Sequence, residues 1–390
     1  MASNETGSPG IGATERDARV IVAASSKNMN LYYATRFVAG DPFIFVDRGD
    51  RTYMIVSDLE IGRARAEAEV DEILSLSLFR SRALARGVES PQTGDLLVEV
   101  LGELGLERIA VPHDFPLGIA DRVRAAQIDV IPHAADRPFL PERVIKSEEE
   151  IDWMRTAMRA NEKALRKGIE TIAAATIDGG WLSLEGEPLT AGDVRAVINT
   201  DLFVNGYLAT RTIVAGGDQG CDPHAAGTGR LPAHKPIIID VFPRSMATRY
   251  CADMTRTVVR GRATPRVRAM YDAVRGAQSL VFESLRAGVD GSSVHAKVEE
   301  FFVRGGFETG RDDRGGMKGF FHGTGHGLGL EIHELPAFGK KPYLFESGMV
   351  VTVEPGLYYP SEGGVRIEDV VVIRDEGVEN LCTLEKRLEI

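Results

Sequence analysis

The stretch HGTGHGLGLEIHE, residues 322–334, holds three of the chain's eight histidines and two glutamates among four glycines. Glycine destabilises a helix interior by about 1 kcal/mol, so the glycines at 323, 325 and 327 predict a non-helical segment. The run GTGHGLG matches neither GxGxxG nor GxxxxGK[ST], which argues against nucleotide binding. We therefore expect one imidazole to bind a metal ion and the others to stand beside it and contact substrate.

Four carboxylates lie in or next to runs that otherwise predict buried strands. Asp240 follows three isoleucines in KPIIIDVFP (235–243), and Asp253 comes thirteen residues later in RYCADMTRTVVRG (249–261). Glu354 ends MVVTVE, and Glu368 comes fourteen residues later in GVRIEDVVVI (364–373). Because an unpaired buried carboxylate costs several kcal/mol, these acids need partners. Two hairpins with one acid on each strand would bring all four together.

Divalent cations are the partners that this pattern favours. Four anionic ligands match the charge of two divalent ions, and oxygen-rich ligation with one imidazole suits manganese, with cobalt or zinc as alternatives. The competing interpretation is that each acid is salt-bridged or lies at a strand end, which is the commoner state of any single strand carboxylate. The repeated hairpin pattern together with the histidine cluster favours the metal site.

Composition excludes several classes of protein. The 46 basic and 57 acidic residues give a net charge of −11, which disfavours nucleic acid and anionic membranes as partners. Three scattered cysteines indicate neither disulfides nor a thiolate metal site, so a reducing cytoplasm is expected. No apolar run approaches the ~18 residues of a membrane span. The polar first eighteen residues predict a mobile tail and not a signal peptide.

The remaining pattern predicts two domains. Residues 19–141 alternate short apolar runs with amphipathic stretches, which indicates an α/β domain with a helix over 59–76. Residues 142–390 carry glycine-bounded β runs and long helices, which indicates an α+β domain. Ser147 and Glu150 form a capping box that predicts the start of a long helix. MVVTVEPGLYY (349–359) and GVRIEDVVVI are each predicted as one continuous β run.

The ordered acids and histidine resemble the metal ligands of a known superfamily. DMTRT, GTGHGLGLEIHE, VVTVEPGLY and GVRIEDVVVI are similar to the motifs of the pita-bread metallopeptidases, which include methionine aminopeptidase, aminopeptidase P and prolidase. The likeness covers most of 147–390, and RVIKSEEEI and NLYYATRF (30–37) resemble the proline-specific branch. The resemblance implies a creatinase/prolidase-like N-terminal domain, a pita-bread catalytic domain and a homodimer.

The resemblance also implies a role for each residue. Asp240 would bind one metal ion, His326 and Glu354 the other, and Asp253 and Glu368 both. A hydroxide bridging the ions would attack the scissile carbonyl, and Glu354 would carry the proton to the leaving amine. The residues implied to contact substrate are His224, His333, His322 and Arg366.

Arg366 bears on the substrate class. It is similar to a substrate-side arginine of Xaa-Pro peptidases, although charge balance for the acids is an equally good interpretation. The resemblance thus implies a metallo-exopeptidase that cleaves before proline, as an Xaa-Pro dipeptidase or an Xaa-Pro aminopeptidase. The alternatives are a metal-free creatinase-like hydrolase and a non-catalytic binding protein on the same fold. The connection from Asp240 to Asp253 is two residues longer than the spacing commonest in the superfamily.

Overall fold

The computed structural model describes residues 17–390 as two units, one ending at Arg143 and one spanning Val144–Ile390. The boundary expected at 141/142 lies two residues before this division. Of the tail expected over 1–18, residues 1–16 lie outside the described residues, and a strand already begins at Ala18. Within residues 17–390, none of the helices combines the length and apolar character that crossing a membrane requires.

The first unit is a six-stranded mixed sheet with the strand order β4-β3-β2-β1-β5-β6. Its elements are β1 (Ala18–Ala23), α1 (Met29–Thr35), β2 (Phe43–Asp47), β3 (Thr52–Val56), α2 (Ile61–Glu67), β4 (Glu72–Ser75), α3 (Leu76–Ala85), α4 (Thr93–Glu103), β5 (Arg108–Val111), α5 (Leu117–Ala125) and β6 (Asp129–Pro132). Strand residues alternate between two apolar cores, one shared with α3, α4 and α5 and the other with α1 and α2. The predicted α/β class is therefore confirmed for this unit.

The single helix predicted over 59–76 is wrong in its second half. The structure ends α2 at Glu67 and starts a strand, β4, which pairs in parallel with β3. Ile73 packs into one core and its neighbour Leu74 into the other. Successive residues point to opposite faces only in a strand, so pairing with the sheet overrides the local helical spacing.

The second unit is an α+β arrangement of antiparallel sheets and four long helices. Its elements are α6 (Glu148–Ala174), β7 (Thr176–Asp178), β8 (Trp181–Leu184), β9 (Glu187–Pro188), α7 (Ala191–Val204), β10 (Tyr207–Leu208), β11 (Ile213–Gly216), β12 (Ile237–Val241), β13 (Arg244–Ser245), β14 (Met254–Val258), α8 (Pro265–Ser284), α9 (Gly291–Arg304), β15 (Gly310–Arg311), β16 (Met317–Lys318), β17 (Gly325–Gly327), β18 (Glu334–Phe338), β19 (Val350–Val353), β20 (Gly356–Tyr359), β21 (Gly363–Arg366), β22 (Asp369–Arg374) and β23 (Gly377–Asn380). The predicted α+β class is confirmed here as well.

Two sheets carry the residues that the sequence singled out. One has the order β11-β12-β14 and contacts α6 and α7; the other has the order β18-β17-β19-β22-β23 and contacts α8 and α9. The first helix of this unit, α6, starts with the predicted capping box, in which Ser147 Oγ accepts from Glu150 N and Ser147 N donates to the Glu150 carboxylate. The helix buries Ile151, Met154 and Met158 on one face, as its spacing predicts.

The two β runs predicted as continuous are each broken in the structure. The first divides into β19 and β20 at Glu354 and Pro355, and the second into β21 and β22 around Glu368. Pro355 has no N–H for a ladder. Moreover, Glu354 N donates to Thr324 O at 2.8 Å and Glu368 N donates to Thr255 O at 3.1 Å, outside their own hairpin. These bonds to other segments hold the two acids at the breaks.

Candidate metal centre

Asp240 and Asp253 share one face of the three-stranded sheet. Asp240 pairs directly with Thr255 across β12 and β14, and Asp253 immediately precedes β14. Because alternate residues of a strand share a face, Asp253, Thr255 and Asp240 point to the same side. Both carboxylates are buried, at 8% and 3% exposure for Asp240 and Asp253. The backbone N–H of Asp253 donates to Met158 Sδ of α6 at 3.4 Å.

Glu354 and Glu368 meet in the same way on the second sheet. The register of β19 and β22 pairs Val353 with Asp369, so the next residues outward, Glu354 and Glu368, lie opposite each other. Glu368 is 2% exposed, and its Oε2 accepts a hydrogen bond of 2.7 Å from Thr255 Oγ1. Thr255 therefore joins Glu368 of one sheet to the sheet that carries Asp240 and Asp253.

His326 completes the group from β17. Its Nε2 lies 3.8 Å from Asp253 Oδ2 and 3.4 Å from Glu354 Oε1. One ligand atom each of Asp253, His326 and Glu368 fall within 4.8 Å of one another, a spacing suited to a shared metal ion. Thr352 Oγ1 accepts from His326 N at 3.0 Å and lies 3.3 Å from Glu354 Oε1, so Thr352 holds these two residues next to each other.

The chemistry of this donor set fits divalent cations. Within the described part of the chain, Asp240 Oδ1 and Asp253 Oδ1 are buried and have no hydrogen-bond partner. Burial raises the pKa of Asp253 and of Glu368 well above the usual range, and the neighbouring carboxylates raise these pKa values further. Burial also raises the pKa of Glu354. A cation would supply the missing partners and remove the repulsion that disfavours the ionised acids.

Arg366 lies among the acids and is fully engaged by protein groups. Its guanidinium forms an ion pair of 2.8 Å with Asp240 Oδ2 and donates to Thr255 Oγ1 at 3.2 Å and to Tyr358 OH at 3.0 Å. The residue is only 3% exposed. This geometry matches the charge-balance interpretation more closely than a substrate contact.

The other predicted histidines lie on the open side of the acids. The His333 ring is exposed and lies 4.4 Å from the His326 ring in an edge-on arrangement. His322 is half-buried, and its Nε2 lies 2.9 Å from Tyr358 OH. His224 is exposed, and its charge lowers the pKa of His333 after the larger effects of partial burial and of His326.

Tyr358 is a site residue that the sequence reasoning missed. Its hydroxyl links Arg366 to His322, and burial raises its pKa to about 12, so it stays a neutral donor. The sequence did contain a signal for it: Tyr358 lies four residues after Glu354, in a run that predicts a buried strand, and a buried tyrosine hydroxyl requires a hydrogen-bond partner.

Comparison of the sequence with protein-family models identifies the family of this chain. Residues 152–375 match the model of metallopeptidase family M24. The chain belongs to metallopeptidase family M24. The predicted class of enzyme, a metallopeptidase of the pita-bread superfamily, is thereby confirmed.

The M24 relatives extend the likeness beyond the catalytic unit. The chain is 28% identical over 375 residues to an Xaa-Pro dipeptidase of Pyrococcus furiosus, covering 95% of this chain and 94% of the relative. Among solved structures, the prolidase of Pyrococcus horikoshii OT3 matches with a TM-score of 0.75 at 24% identity, covering 95% of each chain. The X-Pro aminopeptidase of Thermotoga maritima MSB8 matches with a TM-score of 0.75 at 24% identity, covering 96% of this chain and 97% of that one. The two-domain fold expected for an M24 protein of the proline-specific branch is therefore confirmed.

Proposed function

We propose that this chain hydrolyses the peptide bond that precedes proline, as a metallo-exopeptidase using two divalent cations. The observation that carries the proposal is a cluster in which one ligand atom each of Asp253, His326 and Glu368 lie within 4.8 Å of one another, with Glu354 Oε1 3.4 Å from His326 Nε2. Among the described residues, Asp240 Oδ1 and Asp253 Oδ1 are buried without a hydrogen-bond partner. The family and the prolidase and X-Pro aminopeptidase names of its relatives support the substrate class.

The ligand roles are those that the family resemblance implies. Asp240 would bind one cation, His326 and Glu354 the other, and Asp253 and Glu368 both. Manganese is the proposed metal because the set is rich in oxygen and carries a single imidazole; cobalt and zinc remain alternatives. When bound, the cations supply Lewis-acid activation of water and of the scissile carbonyl.

Glu354 is the proposed proton carrier. Its side chain is 18% exposed, against 5% or less for Asp253 and Glu368, so it lies nearest to the open side of the cluster. Burial raises the pKa of its carboxyl group in the metal-free site, and bound cations would offset that rise, so the assignment rests on its exposure and on the family resemblance. Glu354 would therefore take a proton from the attacking water and deliver it to the leaving nitrogen.

The histidines on the open side are proposed to bind the reacting peptide group. His224 and His333 are exposed, the His333 ring lies beside His326, and His224 is near enough to affect the pKa of His333, so both are proposed to donate to the carbonyl oxygen as negative charge develops there. His322 is proposed to line the pocket, with its orientation fixed by Tyr358. The resemblance implies that Arg366 contacts substrate, but its ion pair with Asp240 favours the alternative, and we propose that it balances the charge of Asp240.

The choice of proline follows from its chemistry. Proline gives a tertiary amide with a restricted φ, so a shaped pocket can select it. Both a dipeptidase and an aminopeptidase would fit the centre. A metal-free hydrolase is less well supported, because it would leave Asp253 and Glu368 with raised pKa values and, among the described residues, Asp240 Oδ1 and Asp253 Oδ1 without a hydrogen-bond partner.

Peptide cleavage tests the proposal. The protein would be supplied with manganese and given Ala-Pro, Ala-Pro-Ala and Ala-Ala-Ala. Cleavage of Ala-Pro alone indicates a dipeptidase, and cleavage of the first bond of Ala-Pro-Ala indicates an aminopeptidase. Cleavage of Ala-Ala-Ala alone, or of none of the three, would refute the proposed proline specificity.

Two further properties belong to the same proposal. A homodimer is proposed from the family resemblance, and light scattering of the purified protein tests it. A cytoplasmic location is proposed from the three cysteines, all of which are free thiols in the structure.

A further inference from the structure

A buried ion pair lies outside the carboxylate cluster and has no part in the mechanism above. Lys146 Nζ lies 2.6 Å from Glu334 Oε1, and the two side chains are 2% and 9% exposed. A charge pair this deeply buried is costly to form and costlier to break on one side, because the remaining charge is left without a partner. Stability alone is a weak reason for such a pair, since apolar residues of similar volume often replace one without loss.

The pair connects two segments that lead to the proposed catalytic groups. Lys146 is anchored by its backbone, where Lys146 N donates to Gly348 O at 2.9 Å, two residues before β19, the strand that ends at Glu354. Glu334 directly follows His333 and opens β18. The ion pair therefore connects the segment bonded to Gly348, just before β19, with Glu334, the residue after His333.

The segment between His326 and His333 is anchored in its first half by the backbone and at its end by Glu334. Leu328 N donates to Val350 O at 3.1 Å, Cys251 N donates to Gly329 O at 2.7 Å, and Glu331 N donates to Glu334 Oε2 at 3.3 Å. The register shifts between His326 and Gly327, and Gly327 then pairs with Glu334, so residues 328–333 form a loop outside the ladder of β17 and β18. Glu334 thus supplies a side-chain anchor at the end of the segment, beside an exposed His333 ring.

Gly329 shows how closely the pair is packed. A Cβ at this position would clash with Glu334 Oε1 and would lie 3.0 Å from Lys146 Cε. Even a single methyl group here would displace the two charged groups. The absence of a side chain at 329 is therefore part of the same arrangement.

We infer that Lys146 and Glu334 are positioning residues, whose buried ion pair fixes the place of His333 relative to the carboxylate cluster. The inference rests on the proposed function, in which His333 contacts the reacting carbonyl. Neither residue touches substrate. Loss of the pair would let the end of the segment shift, and a displacement of about 1 Å can lower a rate by roughly 100-fold.

The test is a double-mutant cycle between Lys146→Met and His333→Ala, measured with the proline peptide that the wild type cleaves. We expect Lys146→Met to lower kcat roughly 10- to 100-fold with little change in KM. If Lys146 acts through His333, the same substitution has almost no further effect in the His333→Ala background. Multiplication of the two effects would overturn the inference.

Three variants separate positioning from a general loss of stability. Lys167→Met removes a lysine that pairs with the buried Asp201 between α6 and α7, away from the centre, and is expected to leave kcat unchanged. Lys146→Arg keeps the charge and is expected to restore most of the rate. Gly329→Ala keeps both charges but displaces them, so it should lower kcat as Lys146→Met does. It also provides the test if Lys146→Met does not fold. Equal kcat losses in Lys146→Met and Lys167→Met would overturn the inference.

A readout without turnover keeps this inference apart from the proposed function. In chelator-treated protein, the ring resonance of His333 in a histidine-labelled NMR spectrum should move in Gly329→Ala and Lys146→Met but not in Lys167→Met. An unmoved resonance in the first two variants contradicts the inference. A wild type that cleaves no proline peptide, with the resonance moved as expected, contradicts the proposed function alone.

Discussion

Replacing Arg366 with methionine would separate its two interpretations. The substitution removes the ion pair to Asp240 and the hydrogen bonds to Thr255 and Tyr358, all in a site where Arg366 is 3% exposed. Removing one partner of a buried ion pair costs about 3–5 kcal/mol, because the remaining charge stays buried. For a unit of this size each kcal/mol corresponds to about 2–4 °C, so the melting temperature should fall by roughly 6–20 °C.

The assay is thermal unfolding of wild type and variant, first in chelator and then with manganese. We expect the full loss in chelator and a smaller loss with manganese, because a cation at Asp240 replaces the missing positive charge. Arg260→Met is the control, since Arg260 donates to Ala175 O and Ile390 O and, within residues 17–390, to none of the four acids of the cluster. An Arg366→Met variant with unchanged melting temperature in chelator and a raised KM would refute charge balance and indicate substrate binding.

Other perturbations test separate parts of the account. Glu354→Gln should lower kcat by about 100- to 10,000-fold while far-UV circular dichroism stays unchanged, and retained turnover would contradict its role as proton carrier. The pKa of Asp253 is raised, so the metal-free folded protein binds the proton of this carboxyl group more tightly than the unfolded chain does. Because of this group, the free energy of unfolding should fall as the pH rises above about 4. In urea titrations with chelator, Asp253→Asn should therefore gain stability relative to wild type between pH 4 and pH 7, and a constant difference would contradict that shift. Ser147→Ala should cost about 1 kcal/mol of unfolding free energy by removing the cap of α6, whereas an unchanged urea midpoint would show that the capping box contributes nothing.

The sequence was most informative where local chemistry decides the structure. The capping box at Ser147 depends only on residues three apart, and it formed as predicted. The four acids stood out because a carboxylate in an apolar strand demands a partner wherever the strand goes. Thr255 lies two residues after Asp253, a spacing that places both on one face of a strand, and its hydroxyl donates to Glu368.

Features that depend on distant segments could not be read from the sequence. The run around Ile73 has helical spacing locally, but pairing with β3 makes it a strand. The break at Glu354 arises because its N–H bonds to Thr324, thirty residues earlier. The contact of Lys146 with Glu334 joins residues far apart in the chain, and neither belongs to a local motif that predicts the other.

One metal titration tests whether this protein cleaves before proline only when it binds divalent cations. Chelator-stripped protein would receive manganese stepwise, with bound ions counted by elemental analysis and cleavage of Ala-Pro, Ala-Pro-Ala and Ala-Ala-Ala followed at each step. We expect no cleavage without metal and full cleavage of a proline-containing peptide when about two ions are bound per chain. Ala-Ala-Ala should not be cleaved at any step. Cleavage by the stripped protein, or inactivity toward both proline peptides with the ions bound, would contradict this expectation.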